Sequence, residues 1–145
     1  MIDFESVFID TAPVIYCLEN EEHYGDLVIS FLERHPRARY VTSVITIAEY
    51  FPHPFRQPNR NDYVAQFNEF INRMNIEIVE IDRMTAELSA EIRTSYAGIK
   101  GMDSLQIASA IQHNCAVLLT NERQLRQVKE ITCLTLDEWK ESCFE

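Results

Sequence analysis

Ala116-Val117-Leu118-Leu119 is the stretch that most narrows what this chain can fold into. A continuous apolar run closed by Thr120 and Asn121 has the pattern of a short strand covered on both faces. Such strands occur where helices pack on the two sides of a parallel sheet. The residues before it supply one such helix. Gly101 breaks the chain, Asp103 opens an apolar run, and Ile107, Ala108 and Ile111 recur on one face. Ala108, Ser109 and Ala110 are small enough to lie close against a sheet. After the strand, Thr120-Asn121-Glu122 predicts the start of another helix. Residues 100–125 thus hold about one αβ unit. One carboxylate opens its helix and another follows its strand, at the edge where open parallel sheets bind ligands.

The rest of the chain repeats this alternation. Val7-Phe8-Ile9 predicts a first strand ending at Asp10, and Asp10 or Thr11 caps a helix that tolerates Pro13 in its first turn. A second helix is expected over 24–34, a second strand over 40–42, and a helix over 44–51 that Ser43 caps and Pro52 stops. Pro52, Pro54 and Pro58 predict a stiff loop bearing His53, Phe55 and Arg56. A long amphipathic helix over 61–74 then presents Val64, Phe67, Phe70, Ile71 and Met74 on one face. Strands over 76–81 and 132–136 and helices over 82–96 and 137–142 complete the chain, with Trp139 folded back on the body. This order implies a three-layer α/β/α sandwich with a mostly parallel central sheet. A length of 145 residues with neither a repeat nor a linker signal implies one domain over 1–145.

Composition removes several classes of function. No apolar run approaches the roughly 20 residues of a membrane span, and the acidic start lacks the basic region of a secretory signal. A cytoplasmic protein without a membrane partner is expected. Cys17, Cys115, Cys133 and Cys143 form no Cys-x-x-Cys pair, and the four histidines have no i, i+4 partners, so neither a zinc site nor a disulfide framework is indicated. With three glycines there is no Gly-rich phosphate loop. The formal charge of −10 excludes broad neutralisation of phosphates as a source of affinity. Nucleic acid, if bound, is met locally through a metal and a few basic residues, or else a basic protein is the partner.

Four acids fall where such a fold gathers ligands, and each has a structural reading of its own. Asp10 can be a helix cap. Glu49, in a helix otherwise almost wholly apolar, can sit at the rim, since burying it unpaired would be costly. Asp103 with Gln106 fits a D-x-x-Q capping box, and Glu122 can complement a helix dipole. Together they say more. In a doubly wound sheet the ends of the first and fourth strands lie side by side, bringing Asp10 and Glu122 to one edge beside the helix start of Asp103. Two carboxylates about 4 Å apart repel by about 4 kcal/mol at an effective dielectric of about 20. Such a cluster takes up protons or binds a hard divalent cation. Lys100 and Arg123 are its basic neighbours in sequence.

These segments resemble the PIN domain family, which includes the toxin half of VapBC-type toxin–antitoxin pairs, and the resemblance spans nearly the whole chain. Phe8-Ile9-Asp10-Thr11-Ala12-Pro13-Val14-Ile15-Tyr16 is similar to the family's opening strand and first acid. Thr42-Ser43-Val44-Ile45-Thr46-Ile47-Ala48-Glu49 is similar to its second-acid helix. Met102-Asp103-Ser104-Leu105-Gln106-Ile107-Ala108-Ser109-Ala110 and Leu119-Thr120-Asn121-Glu122-Arg123 are similar to its third and fourth segments. The resemblance implies a metal-dependent ribonuclease with Asp10, Glu49, Asp103 and Glu122 as catalytic acids. Asp10, Asp103 and Glu49 would hold Mg²⁺ or Mn²⁺. Thr11, Thr120, Asn121, Lys100 and Arg123 would serve substrate or the ligands' surroundings. The fourth acid is commonly Asp in the family, and Glu122 reaches further, consistent with contact through water. An RNA substrate, a small antitoxin and a homodimer are the partners implied. A non-catalytic PIN-like module that binds RNA or protein is the alternative.

Overall fold

The computed structural model describes residues 4–143, the last three by their backbone alone. The elements run β1 (Ser6–Ile9), α1 (Thr11–Leu18), α2 (Tyr24–Arg34), β2 (Arg39–Ser43), α3 (Val44–Tyr50), α4 (Pro52–Phe55) and α5 (Arg60–Arg73). They continue as β3 (Ile76–Val79), α6 (Arg83–Ser95), α7 (Gly101–Gln112), β4 (Val117–Thr120), β5 (Thr132–Thr135) and α8 (Leu136–Cys143). The five strands form one sheet in the order β3-β2-β1-β4-β5, and all pairs are parallel. Phe8 stands in register with Val41 on one side and Leu118 on the other.

Side chains alternate across the sheet, so each central strand feeds two cores. Val7, Ile9, Tyr40, Val117 and Leu119 join the cluster that contains Val14, Val28, Phe31, Phe67, Phe70 and Trp139, from α1, α2, α5 and α8. Phe8, Val41 and Leu118 join Ile92, Ile107, Ala108 and Ala110, from α6 and α7. This is the expected three-layer α/β/α sandwich. Trp139 folds back as anticipated, its ring edge-on to Phe31 at 5.0 Å between centroids. Among the described residues no helix is long and apolar enough to cross a membrane.

Three local expectations change. The proline-rich loop contains the helical turn α4, because Pro52 stands at its first position, where no intrahelical N–H is needed. The helix expected just after β4 forms as a short 3₁₀ helix, Arg123–Gln127. Leu125, within it, and Val128 and Ile131, in the extended stretch that follows, are all buried in the α6/α7 core. The strand expected from Ala116 begins instead at Val117, with Ala116 exposed.

Gly25 sets the approach of α2 to α1. A Cβ there would stand 2.9 Å from the carbonyl oxygen of Tyr16, a backbone atom with little room to give. Gly25→Ala is therefore expected to cost about 1–3 kcal/mol through overpacking, read as a lowered urea midpoint with an unchanged slope. Burial pushes the thiols of Cys17 and Cys133 up to about 12 and that of Cys115 to about 11, leaving none activated as a nucleophile near neutral pH.

Candidate functional site

The strand order reverses between β1 and β4, and the crevice beyond their C-terminal ends is where an open parallel sheet presents side chains to a ligand. Asp10 sits there, 4% exposed. Its N–H continues the ladder by donating to the Leu119 carbonyl at 3.0 Å. Its Oδ1 accepts from the Thr11 N–H at 2.9 Å and caps α1, while Oδ2 accepts from the Thr120 hydroxyl at 2.8 Å. Cap and buried acid are thus the same residue. Burial raises its carboxyl from 3.8 to about 6, and the nearby charges of Asp103 and Glu49 add to the rise. The two hydrogen bonds oppose it without cancelling it.

Asp103 is half-buried in the first turn of α7, and burial again raises its carboxyl, with Glu122 and Glu49 adding and Lys100 opposing. The D-x-x-Q capping box does not form. The helix starts at Gly101, which puts Lys100 at the cap position with no side-chain bond and Asp103 in the first turn rather than at the cap. No described residue donates a hydrogen bond to the Asp103 carboxylate. Glu49 is exposed rather than buried among apolar neighbours, so its helix does not bear the desolvation cost that the sequence suggested. Its carboxylate accepts from the Thr11 hydroxyl at 2.6 Å. Glu122 is exposed, and its backbone N–H donates to Thr120 Oγ1 at 3.1 Å. The acids thus face one another in a chain of repulsions, Glu49 with Asp10 and Asp103, and Asp103 with Asp10 and Glu122.

Behind these acids Thr11, Ser43 and Gln106, each given another role by the sequence, join Thr42 and Thr46 in one buried polar layer. Gln106 is fully buried, donating from Nε2 to Thr11 at 3.2 Å and to Thr46 at 3.0 Å, and accepting at Oε1 from Ser43. Thr42 donates to the Ile9 carbonyl at 2.8 Å and stands 2.8 Å from Thr46. The signal was a glutamine inside a run of small and apolar residues, where an unpaired amide would be costly. The outer residues are arranged differently from each other. Thr120 is buried on Asp10, whereas Asn121 donates to the Tyr16 hydroxyl at 3.1 Å. Arg123 stands largely exposed, with its guanidinium 3.6 Å from Asp137, an ion pair too weak at the surface to hold it from other anions.

The PIN domain family profile matches residues 7–131. The chain belongs to the PIN domain family. Its fold is that of solved PIN toxins. The VapBC2 structure from Rickettsia felis, bound to a DNA fragment from its promoter, matches with a TM-score of 0.75 at 18% identity, over 90% of this chain and 98% of the other. FitAcB from Neisseria gonorrhoeae matches with a TM-score of 0.72 at 21% identity, over 90% and 97%. VapC20 of Mycobacterium tuberculosis, described as a sarcin-ricin loop cleaving toxin, matches with a TM-score of 0.59 at 13% identity, over 77% and 86%. No curated protein sequence matches significantly.

The donor set of this PIN domain is consistent with a hard cation. Asp10, Glu49 and Asp103 offer carboxylate oxygens only, burial and their neighbours' negative charge raise the carboxyls of Asp10 and Asp103, and no described residue donates to Asp103. Among the described residues no three His, Cys, Asp or Glu side chains already close into a group that could hold an ion.

Proposed function

We propose that this chain is a Mg²⁺- or Mn²⁺-dependent endoribonuclease, the toxin component of a type II toxin–antitoxin pair. The observation that carries the reading is the buried Asp10 carboxyl, held up near 6 and facing Asp103 and Glu49 at the sheet's switch point. Asp10, Asp103 and Glu49 would hold the cation, with Glu122 reaching in from the rim. A divalent ion bound there supplies a water of lowered pKa and screens charge on the phosphate. The chain's own part is orientation: Thr11 and Thr120 fix Glu49 and Asp10 by hydrogen bonds. Lys100, whose charge reaches Asp103, would meet a phosphate.

The substrate would be single-stranded or looped RNA, whose backbone enters a narrow acidic crevice and whose bases can stack. Phe55, on α4 just beyond the helix of Glu49, is 46% exposed, and the Arg60 guanidinium lies 3.9 Å from its ring centroid. This pair, with Arg56, is a local cationic and aromatic contact on an otherwise acidic protein. Phe55→Ala is expected to raise KM for single-stranded RNA roughly tenfold with kcat unchanged. Equal KM in variant and wild type would remove α4 from the substrate path.

The natural partner would be a small antitoxin that places a basic side chain in the acidic crevice, and the cytoplasmic protein would act as a homodimer. The test of function is cleavage of a single-stranded RNA panel in Mg²⁺ or Mn²⁺ against an EDTA control. Metal-dependent cutting supports the nuclease. The exposed position of Glu122 favours the second reading, a PIN-like module that binds RNA or protein without turnover. RNA retained on the protein but uncut under every metal condition would establish that reading instead.

A further inference from the structure

The polar layer beneath the acids leaves each of its protons one destination. The Ile45 N–H donates to Ser43 Oγ at 3.1 Å, so the Ser43 proton turns to Gln106 Oε1. That contact fixes the amide's orientation, and Nε2 faces Thr11 and Thr46. The Thr42 proton is committed to the Ile9 carbonyl, so Thr42 accepts from Thr46 across their 2.8 Å contact. Thr46 has then spent its proton and receives from the amide. Thr11 receives from the same amide, and its single proton points to Glu49 at 2.6 Å rather than to Thr46 at 3.3 Å.

We propose that Gln106 is a positioning residue of the metal site. It locks the Thr11 hydroxyl in the orientation that holds the Glu49 carboxylate toward Asp10 and Asp103. The inference rests on the nuclease reading above. Glu49 is exposed, and Thr11 is its one hydrogen-bond partner among the described residues. Without that tether the carboxylate would have to lose its rotamer freedom when the ion binds. Donation into Thr11 Oγ1 also polarises the hydroxyl, strengthening its bond to Glu49. Removing the amide frees Thr46 Oγ1 to compete for the Thr11 proton. Gln106 stands three residues beyond Asp103 on α7, so one helix carries a ligand and the anchor of another ligand, which belongs to α3.

Titration of Mn²⁺ into the full chain by calorimetry tests this. Gln106→Met keeps the volume and loses both donors, and should weaken Mn²⁺ binding about tenfold with the fold retained. Thr11→Val should weaken it at least as much, and Thr11→Ser should bind close to wild type. The double variant Gln106→Met/Thr11→Val should bind no more weakly than Thr11→Val alone, because both changes act through one hydroxyl. Losses that add, or Gln106→Met binding as tightly as wild type, would overturn the inference while leaving the nuclease reading intact. A wild-type chain that binds no Mn²⁺ would defeat the nuclease reading and the inference with it. Should Gln106→Met not fold, Gln106→Asn, one methylene short of the threonines, takes its place with the same expected loss.

Discussion

Asp10→Asn is expected to abolish metal-dependent RNA cleavage, by roughly 10³-fold or more, while yielding a metal-free protein more stable than wild type at neutral pH. The loss of activity corresponds to about 4 kcal/mol of transition-state stabilisation. The gain in stability follows from the raised carboxyl. Asp10 holds its proton more tightly in the folded chain, near 6 against 3.8 when unfolded. Its favourable contribution is therefore complete below about 3.8 and is lost as pH rises through about 6. At about 1.4 kcal/mol per pH unit, the neutral-pH penalty is about 3 kcal/mol. Asn still accepts the Thr11 N–H but turns an amide toward Thr120, whose hydroxyl must reverse. A net gain of about 1–2 kcal/mol remains. Urea midpoints in EDTA at pH 4.5 and 7.5 read this directly. Wild type should lose stability across that interval more steeply than Asp10→Asn. Cleavage by the variant at the wild-type rate would sink the assignment of Asp10.

Asp103→Asn should nearly erase the stabilisation that Mn²⁺ gives the protein. Binding at a hundredfold excess over Kd adds about 2.7 kcal/mol to wild type, a rise of about 5–10 °C in Tm for a domain of this size. Asp103 contributes most after Asp10, because it is half-buried and no described residue donates to its carboxylate. Glu49→Gln should retain part of the shift and Glu122→Gln most of it, in line with their exposure. The shift should also shrink below about pH 6, where protons compete with metal for Asp10. Differential scanning fluorimetry with and without 5-fold steps of Mn²⁺ checks the order. Equal shifts in all variants would place the bound ion elsewhere.

Much of this molecule is legible in its residues because burial dictates pattern. The continuous runs Val7-Phe8-Ile9 and Val117-Leu118-Leu119 send side chains to both faces of the sheet, which specified helices on each. Acids at strand ends and helix starts in such a sheet converge on one edge whatever their spacing in the chain. What escaped was set by partners distant in sequence. Gln106 read as the far end of a capping box, since nothing local announces that Ser43 and Thr11 would take both ends of its amide. The rim position of Glu49, by contrast, was legible from the cost of burying it, and Ala48 and Glu49 do face outward together. The helix start at Thr120-Asn121-Glu122 was legible, but not that the helix is a short 3₁₀ one with Glu122 at its cap position. The Thr120 hydroxyl in fact serves Asp10 and the Glu122 N–H.

The most direct test of the account is anomalous diffraction at the manganese edge from crystals of the full chain soaked in Mn²⁺. The account predicts an anomalous peak within coordination distance of Asp10 and Asp103, with Glu49 reaching it directly or through one water, and no such peak in Asp10→Asn crystals. A peak bound away from these carboxylates, or one at the same place and strength in Asp10→Asn, would contradict it.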